Sequence, residues 1–127
     1  MPEDHLAQGT KDDGDKVRMD LIPPEVMFAY ASVLTFGVKK YAARNWEKGM
    51  TFGRLFAAMM RHMWAWWGGQ GPTSTNFAFS DTDSETEYSH LWHAQFCLGC
   101  LIAFEERGMY QWDDRLGSQA CVLIQKE

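Results

Sequence analysis

The segment Asp83-Ser-Glu85-Thr-Glu-Tyr-Ser-His90-Leu-Trp-His93 sets carboxylates just ahead of two histidines, at the mouth of an apolar run. His90 and His93 are three residues apart, so they share one face of a helix. Carboxylate oxygen and imidazole nitrogen are donors for a divalent metal, and imidazole also moves protons near neutral pH. The pattern predicts a divalent ion held, or a water positioned, by Asp83, Glu85, His90 and His93. The competing reading is a helix entrance capped by loop carboxylates and followed by two polar histidines with ordinary partners.

Three further groups carry polar chemistry. Arg61-His62 lies among Met60, Met63 and Trp64. A guanidinium beside so much apolar surface must find a partner or reach for water. It reads as phosphate binding by Arg61 with His62 as ligand or acid/base, or as an inter-helix salt bridge. Lys39-Lys40-Tyr41-Ala-Ala-Arg44-Asn45-Trp46 gathers cations, an amide and an indole at a helix end. Lys39 and Lys40 suit phosphate, Asn45 a base edge, and Trp46 stacking on a base or ribose. A capped terminus with a packed Trp is the alternative. In the arm Lys16-Val-Arg18-Met-Asp20, alternation puts Lys16, Arg18 and Asp20 on one side of an extended chain. Two cations and a carboxylate there can clamp a phosphate, or simply be solvated.

The elements that must position these groups are helical. Residues 1–15 read as a polar, acidic tail, and the two prolines Pro23 and Pro24 forbid helix before about Pro24. A first helix is predicted over about Pro24 to Tyr41, with Lys39 and Lys40 in its last turn. A loop follows, then a second helix over about Phe52 to Trp67, with Thr51 as N-cap and Gly68 and Gly69 ending it. Residues 73–88 form a long loop, of the kind that often carries function. The third helix is predicted over about Glu87 to Arg107, with Gly108 just beyond it. Ala120 to Ile124 reads as a short strand. The fold class is all-α: an arm, three main helices, a long loop before the third, and a tail. The organisation is a tail over 1–15, a helical nucleotide-binding domain over 16–108, and a C-terminal tail over 109–127.

Composition narrows the function classes. The chain has 127 residues and a net charge of −5, which argues against a broad nucleic-acid-binding face. No apolar run is long enough for a membrane span, and no secretory leader is visible. Three cysteines disfavour a complete disulfide framework, and Cys97-Leu-Gly-Cys100 reads as a buried, reduced pair. A cytoplasmic setting fits. Six Trp, eight Phe and eight Met supply a core and also predict homo-oligomer formation.

Taken in order, Lys16 to Pro23, Thr35 to Trp46, Arg61 to Trp66 and Asp83 to Ala94 resemble the phage-associated dATP/dGTP diphosphohydrolase N-terminal domain family. The resemblance spans residues 16 to 107. More distantly, the chain resembles MazG-like nucleotide pyrophosphohydrolases, whose second and third helices carry acidic magnesium ligands. In this chain those places hold Met60-Arg61-His62 and His90-Leu-Trp-His93. Glu87 stands where the family usually has glycine. The resemblance implies a purine nucleotide such as dATP or dGTP, hydrolysed at a phosphoanhydride with a divalent ion, Mg²⁺ or Mn²⁺, in the cytoplasm of a host cell. Asp83, Glu85, His62 and His93 would be catalytic. Lys16, Arg18, Lys39, Lys40, Asn45, Trp46 and Arg61 would hold the nucleotide. Two other readings stand beside it: a binder that sequesters a nucleotide or nucleotide-derived signal without turnover, and an oligomeric interaction module.

Overall fold

In a computed structural model of the chain, residues 6–68 and 80–117 are described. Three helices make the architecture: α1 (Pro24–Lys40), α2 (Phe52–Trp67) and α3 (His90–Glu106), with short 3-10 turns at Met19–Leu21, Asn45–Lys48 and Tyr110–Trp112. Among the described residues there is no strand, only an isolated bridge between Thr82 and Ser89. The fold is a small all-α domain. The expected strand at residues 120–124 lies outside the described residues, as does much of the expected long loop.

Helix α3 is the centre of the bundle and packs against both α2 and α1. That explains its sequence, which is apolar on most sides rather than amphipathic. Gly99 permits the α1 contact, because a Cβ there would fall inside the Tyr30 ring. Between α2 and α3 lies the main core of Phe52, Leu55, Cys97, Cys100 and Phe104. Phe104 is fully buried, its ring 6.3 Å from Phe52 and 6.0 Å from Trp46. Truncating a phenylalanine so enclosed costs about 3–5 kcal/mol. Cys97 and Cys100 are free thiols inside this core, and burial pushes Cys100 up to about 12. They are packing groups, as expected.

The helix ends follow local chemistry. Pro24 opens α1, and Lys39 and Lys40 close it. Thr51 occupies the N-cap position of α2, but its side chain makes no capping bond. Instead the Gly53 N–H donates to Asp114 Oδ1 at 2.7 Å. Met109 and Trp112, beyond α3, also pack on the core. The third helix begins at His90 rather than Glu87, with Ser89 accepting from the Leu91 N–H at 3.1 Å. The reason lies in the turn before it. Glu87 is left-handed, at φ +64°, and its N–H already donates to the Asp83 carbonyl at 2.8 Å.

Candidate functional site

Four segments converge on one cleft of about 890 Å³: the end of α1, residues 41–50, the middle of α2, and the 83–86 turn with α3. That size suits a nucleotide-class ligand. Its lining includes His62, Asp83, Glu85, Thr86 and His93 on one side and Lys40, Tyr41, Arg44, Asn45 and Trp46 on the other. Arg54 stands on α2, just over two turns before His62 and therefore on the same face.

The 81–90 loop carries the carboxylate into place. Its ends are closed by the Asp83 N–H donating to the Tyr88 carbonyl at 2.8 Å and the His90 N–H donating to the Asp81 carbonyl at 3.1 Å. Within it, Asp83 Oδ1 accepts from the N–H groups of Glu85 at 2.9 Å and Thr86 at 3.0 Å. The Thr86 hydroxyl lies 3.4 Å from the same oxygen. Among the described residues, Oδ2 has no hydrogen-bond partner. Burial works against ionisation of Asp83, but these amides and the nearby His93 and His62 rings outweigh it and hold the carboxyl below its usual value.

Three imidazoles gather beneath this turn. His62 Nδ1 lies 2.8 Å from His90 Nδ1. The His62 ring stacks on His93 at 4.8 Å and 15°. His93 Nε2 lies 2.7 Å from Thr86 Oγ1. The tautomers follow from the ends of the chain of bonds. Ser80 donates its hydroxyl to the Thr82 carbonyl at 2.8 Å, so it faces His90 Nε2, 3.3 Å away, with a lone pair. His90 therefore donates from Nε2 and accepts at Nδ1. His62 donates from Nδ1, which leaves its Nε2 lone pair open. Burial, then the neighbouring His93 and His90, lower the His62 pKa to about 4. Burial, partly offset by Asp83, also lowers that of His93. His62 is neutral at neutral pH and can accept a proton or bind a metal.

The structure regroups the expected metal set. Donor atoms of His62, Asp83 and His90 all lie within 4.8 Å of one another. Glu85 is outside that group and pairs with Lys40 at 3.0 Å. His93 is beside it, engaged by Thr86. Magnesium demands hard oxygen ligands, and one carboxylate with two imidazoles fits it poorly. The same set fits a divalent ion that accepts nitrogen.

Of the expected nucleotide-binding residues, Lys40, Asn45 and Trp46 line the cleft. Lys16, Arg18, Lys39 and Arg61 are not among its lining residues. Arg18 forks onto Asp20 with two bonds of 2.8 Å. Trp46 is committed to the core, with Phe104 on it and the Arg107 guanidinium 5.3 Å from its ring. Tyr41, 54% exposed, is the freer aromatic. Arg44, Arg54, Tyr41 and Thr86 line the cleft but were not expected as site residues. Tyr41 and Arg44 fall inside the cationic 39–46 segment, and Arg54 is signalled by its spacing from His62.

The cleft holds four basic side chains, Lys40, Arg44, Lys48 and Arg54, against three acidic ones, Glu47, Asp83 and Glu85. Within a chain of net charge −5 it is a locally cationic place. No helix among the described residues is long and apolar enough to cross a membrane. No curated protein and no solved structure matches the chain. The family model described as dATP/dGTP diphosphohydrolase, N-terminal, matches residues 6–115, and the chain belongs to that family.

Proposed function

We propose that the cleft binds a purine deoxynucleoside triphosphate and that the protein hydrolyses its phosphoanhydride with a divalent ion. The observation that carries this reading is the convergence of a neutral imidazole, a low-pKa carboxylate and three cations, Lys40, Arg44 and Arg54, on one cleft. The family description supplies the substrate class. The cations neutralise the polyphosphate. Tyr41 and Asn45 face the base or sugar, with Trp46 as the wall behind them. His93, held by Thr86 and by stacking on His62, takes a proton from the attacking water. When bound, the ion supplies charge stabilisation at a phosphoryl oxygen.

The locally basic cleft and the lack of acidic ligands on α2 and α3 also favour a second reading, in which the protein sequesters a nucleotide or nucleotide-derived signal without turnover. One incubation separates the two. The protein is mixed with each deoxynucleoside triphosphate, with and without Mg²⁺ or Mn²⁺, and pyrophosphate and phosphate are followed. Release from dATP or dGTP supports hydrolysis. Tight, stoichiometric nucleotide retention with no release under any ion selects sequestration. Failure to bind any nucleotide defeats both.

A further inference from the structure

We propose that His62, His90 and Asp83 form a site for a divalent first-row transition ion, such as Mn²⁺, Fe²⁺, Co²⁺ or Zn²⁺, and that Mg²⁺ is a poor occupant. The role of such an ion rests on the hydrolytic reading of the cleft, but its binding does not. Two imidazoles and one carboxylate are a borderline donor set, which accepts these ions and offers Mg²⁺ a single hard ligand. Three protein donors also leave positions for water or for phosphate oxygen.

The arrangement around the donors favours ligation. The Ser80 hydroxyl accepts from His90 Nε2, which fixes the ring in the tautomer whose Nδ1 lone pair faces His62. Such outer contacts orient metal-binding histidines. Among the described residues, every hydrogen bond to the Asp83 carboxylate falls on Oδ1, so Oδ2 is open to an ion. His93 stacks on His62 and restrains its ring. His62 and Asp83 both line the cleft, which is the entry path.

The 2.8 Å between the two Nδ1 atoms is a shared proton, not a ligand edge. Two nitrogens on one ion at the usual bond length stand about 3.0 Å apart in octahedral and about 3.4 Å apart in tetrahedral geometry. Binding therefore spreads the pair by a few tenths of an ångström. The His62 proton moves from Nδ1 to Nε2, and the net charge of the two rings is unchanged. Glu85, tied to Lys40, stays outside.

The test uses the full chain, stripped with chelator and titrated with Co²⁺, read by its visible absorption and by calorimetry. One ion per chain is expected, with a spectrum that reports nitrogen ligands and persists in excess Mg²⁺. His62→Ala, His90→Ala and Asp83→Asn each weaken Co²⁺ by about 10–100-fold or more, and Ser80→Ala by a smaller factor. Glu85→Gln leaves the affinity unchanged. His90 is buried, so far-UV circular dichroism checks each variant; the half-buried His62 keeps the test decisive if His90→Ala unfolds. Displacement of Co²⁺ by equimolar Mg²⁺, or undiminished binding in folded His62→Ala and Asp83→Asn, overturns the proposal. Nucleotide binding is measured separately, on chelated and on ion-loaded protein. Ion uptake without nucleotide binding keeps the metal site and fails the proposed function; nucleotide binding without ion uptake does the reverse.

Discussion

The α2–α3 pair carries two cavities of opposite character. On one side is the cleft that carries the charged and imidazole groups. On the other is an apolar groove of about 600 Å³ walled by residues including Met59, Met63, Trp67, Leu91 and Leu98. On α3 the division is strict: Leu91, Ala94, Gln95 and Leu98 share one stripe, and His93 and Phe96 lie on the opposite one. One helix thus serves two environments, which its all-round apolar sequence conceals. Among the described residues the groove is lined by α2 and α3 alone, whereas the cleft is also lined by α1 and two loops. The polar groups of the cleft come together only where several elements meet, so the cleft depends on tertiary structure more than the groove does.

The largest expected effect separates the two cavities by function. Asp83→Asn keeps an acceptor for the Glu85 and Thr86 amides but removes the charge from the cleft. Turnover of dATP or dGTP should fall about 10²- to 10³-fold, measured by steady-state pyrophosphate release. Trp67→Ser, in the groove and 72% exposed, should leave turnover intact. An equal loss in both variants would erase the distinction.

A second variant strikes the element that only the cleft uses. Gly99→Ala drives a methyl into the Tyr30 ring and pushes α1 from α3. The methyl overlaps the Tyr30 hydroxyl and ring edge, and displacing this partly buried side chain costs more than alanine's better helix propensity returns. A loss of about 1–3 kcal/mol in urea unfolding is expected. Nucleotide affinity should drop too, because α1 supplies Lys40 and one cleft wall. Binding of an apolar dye to the groove should persist.

Acid should weaken the cleft side while leaving the groove without a titrating group. The His62 pKa in the folded protein is about 4, below its ordinary 6.5. Between those values the unfolded chain binds more protons than the folded one. Stability is therefore fully present above about pH 6.5 and declines as pH falls towards 4. Because the ring is only half-buried and water screens it, the loss is about 1–2 kcal/mol, below what the full shift would give. Urea midpoints at pH 7 and pH 5 should show it, and His62→Gln should reduce the dependence, with His93, also shifted down by burial, keeping part of it.

The ends of α2 were legible to the residue, because Thr51 and Gly68 bracket a clear periodic run. The role of Thr51 was not, since its capping bond comes from Asp114, far along the chain. Asp83 and His93, singled out by the carboxylate and the HxxH spacing, both line the cleft. His62 as the partner of His90 was not legible, because no spacing within one helix encodes a contact between two. Arg44 and Arg54 carried local signals, but their convergence on one cleft depends on contacts between elements. Trp46 read equally well as a stacking platform or a packed ring, and only the position of Phe104 decides between them. Lys16, Arg18 and Arg61 had suitable chemistry, but they do not line the cleft.

The smallest effect tests the turn that separates loop from helix on the cleft side. Glu87 holds φ +64°, a conformation that costs a residue with a Cβ about 1 kcal/mol and costs glycine little. Its side chain is exposed, and the turn is closed by its backbone N–H on the Asp83 carbonyl rather than by its carboxylate. Glu87→Gly removes the strain and keeps that bond, while adding flexibility to the unfolded chain. The net expectation is a gain of about 0.5 kcal/mol, read as a higher urea midpoint. Because the same turn aims Asp83, ion and nucleotide affinity should be unchanged or slightly higher. A loss of stability would mean that the Glu87 carboxylate holds the turn, and that glycine cannot restore it.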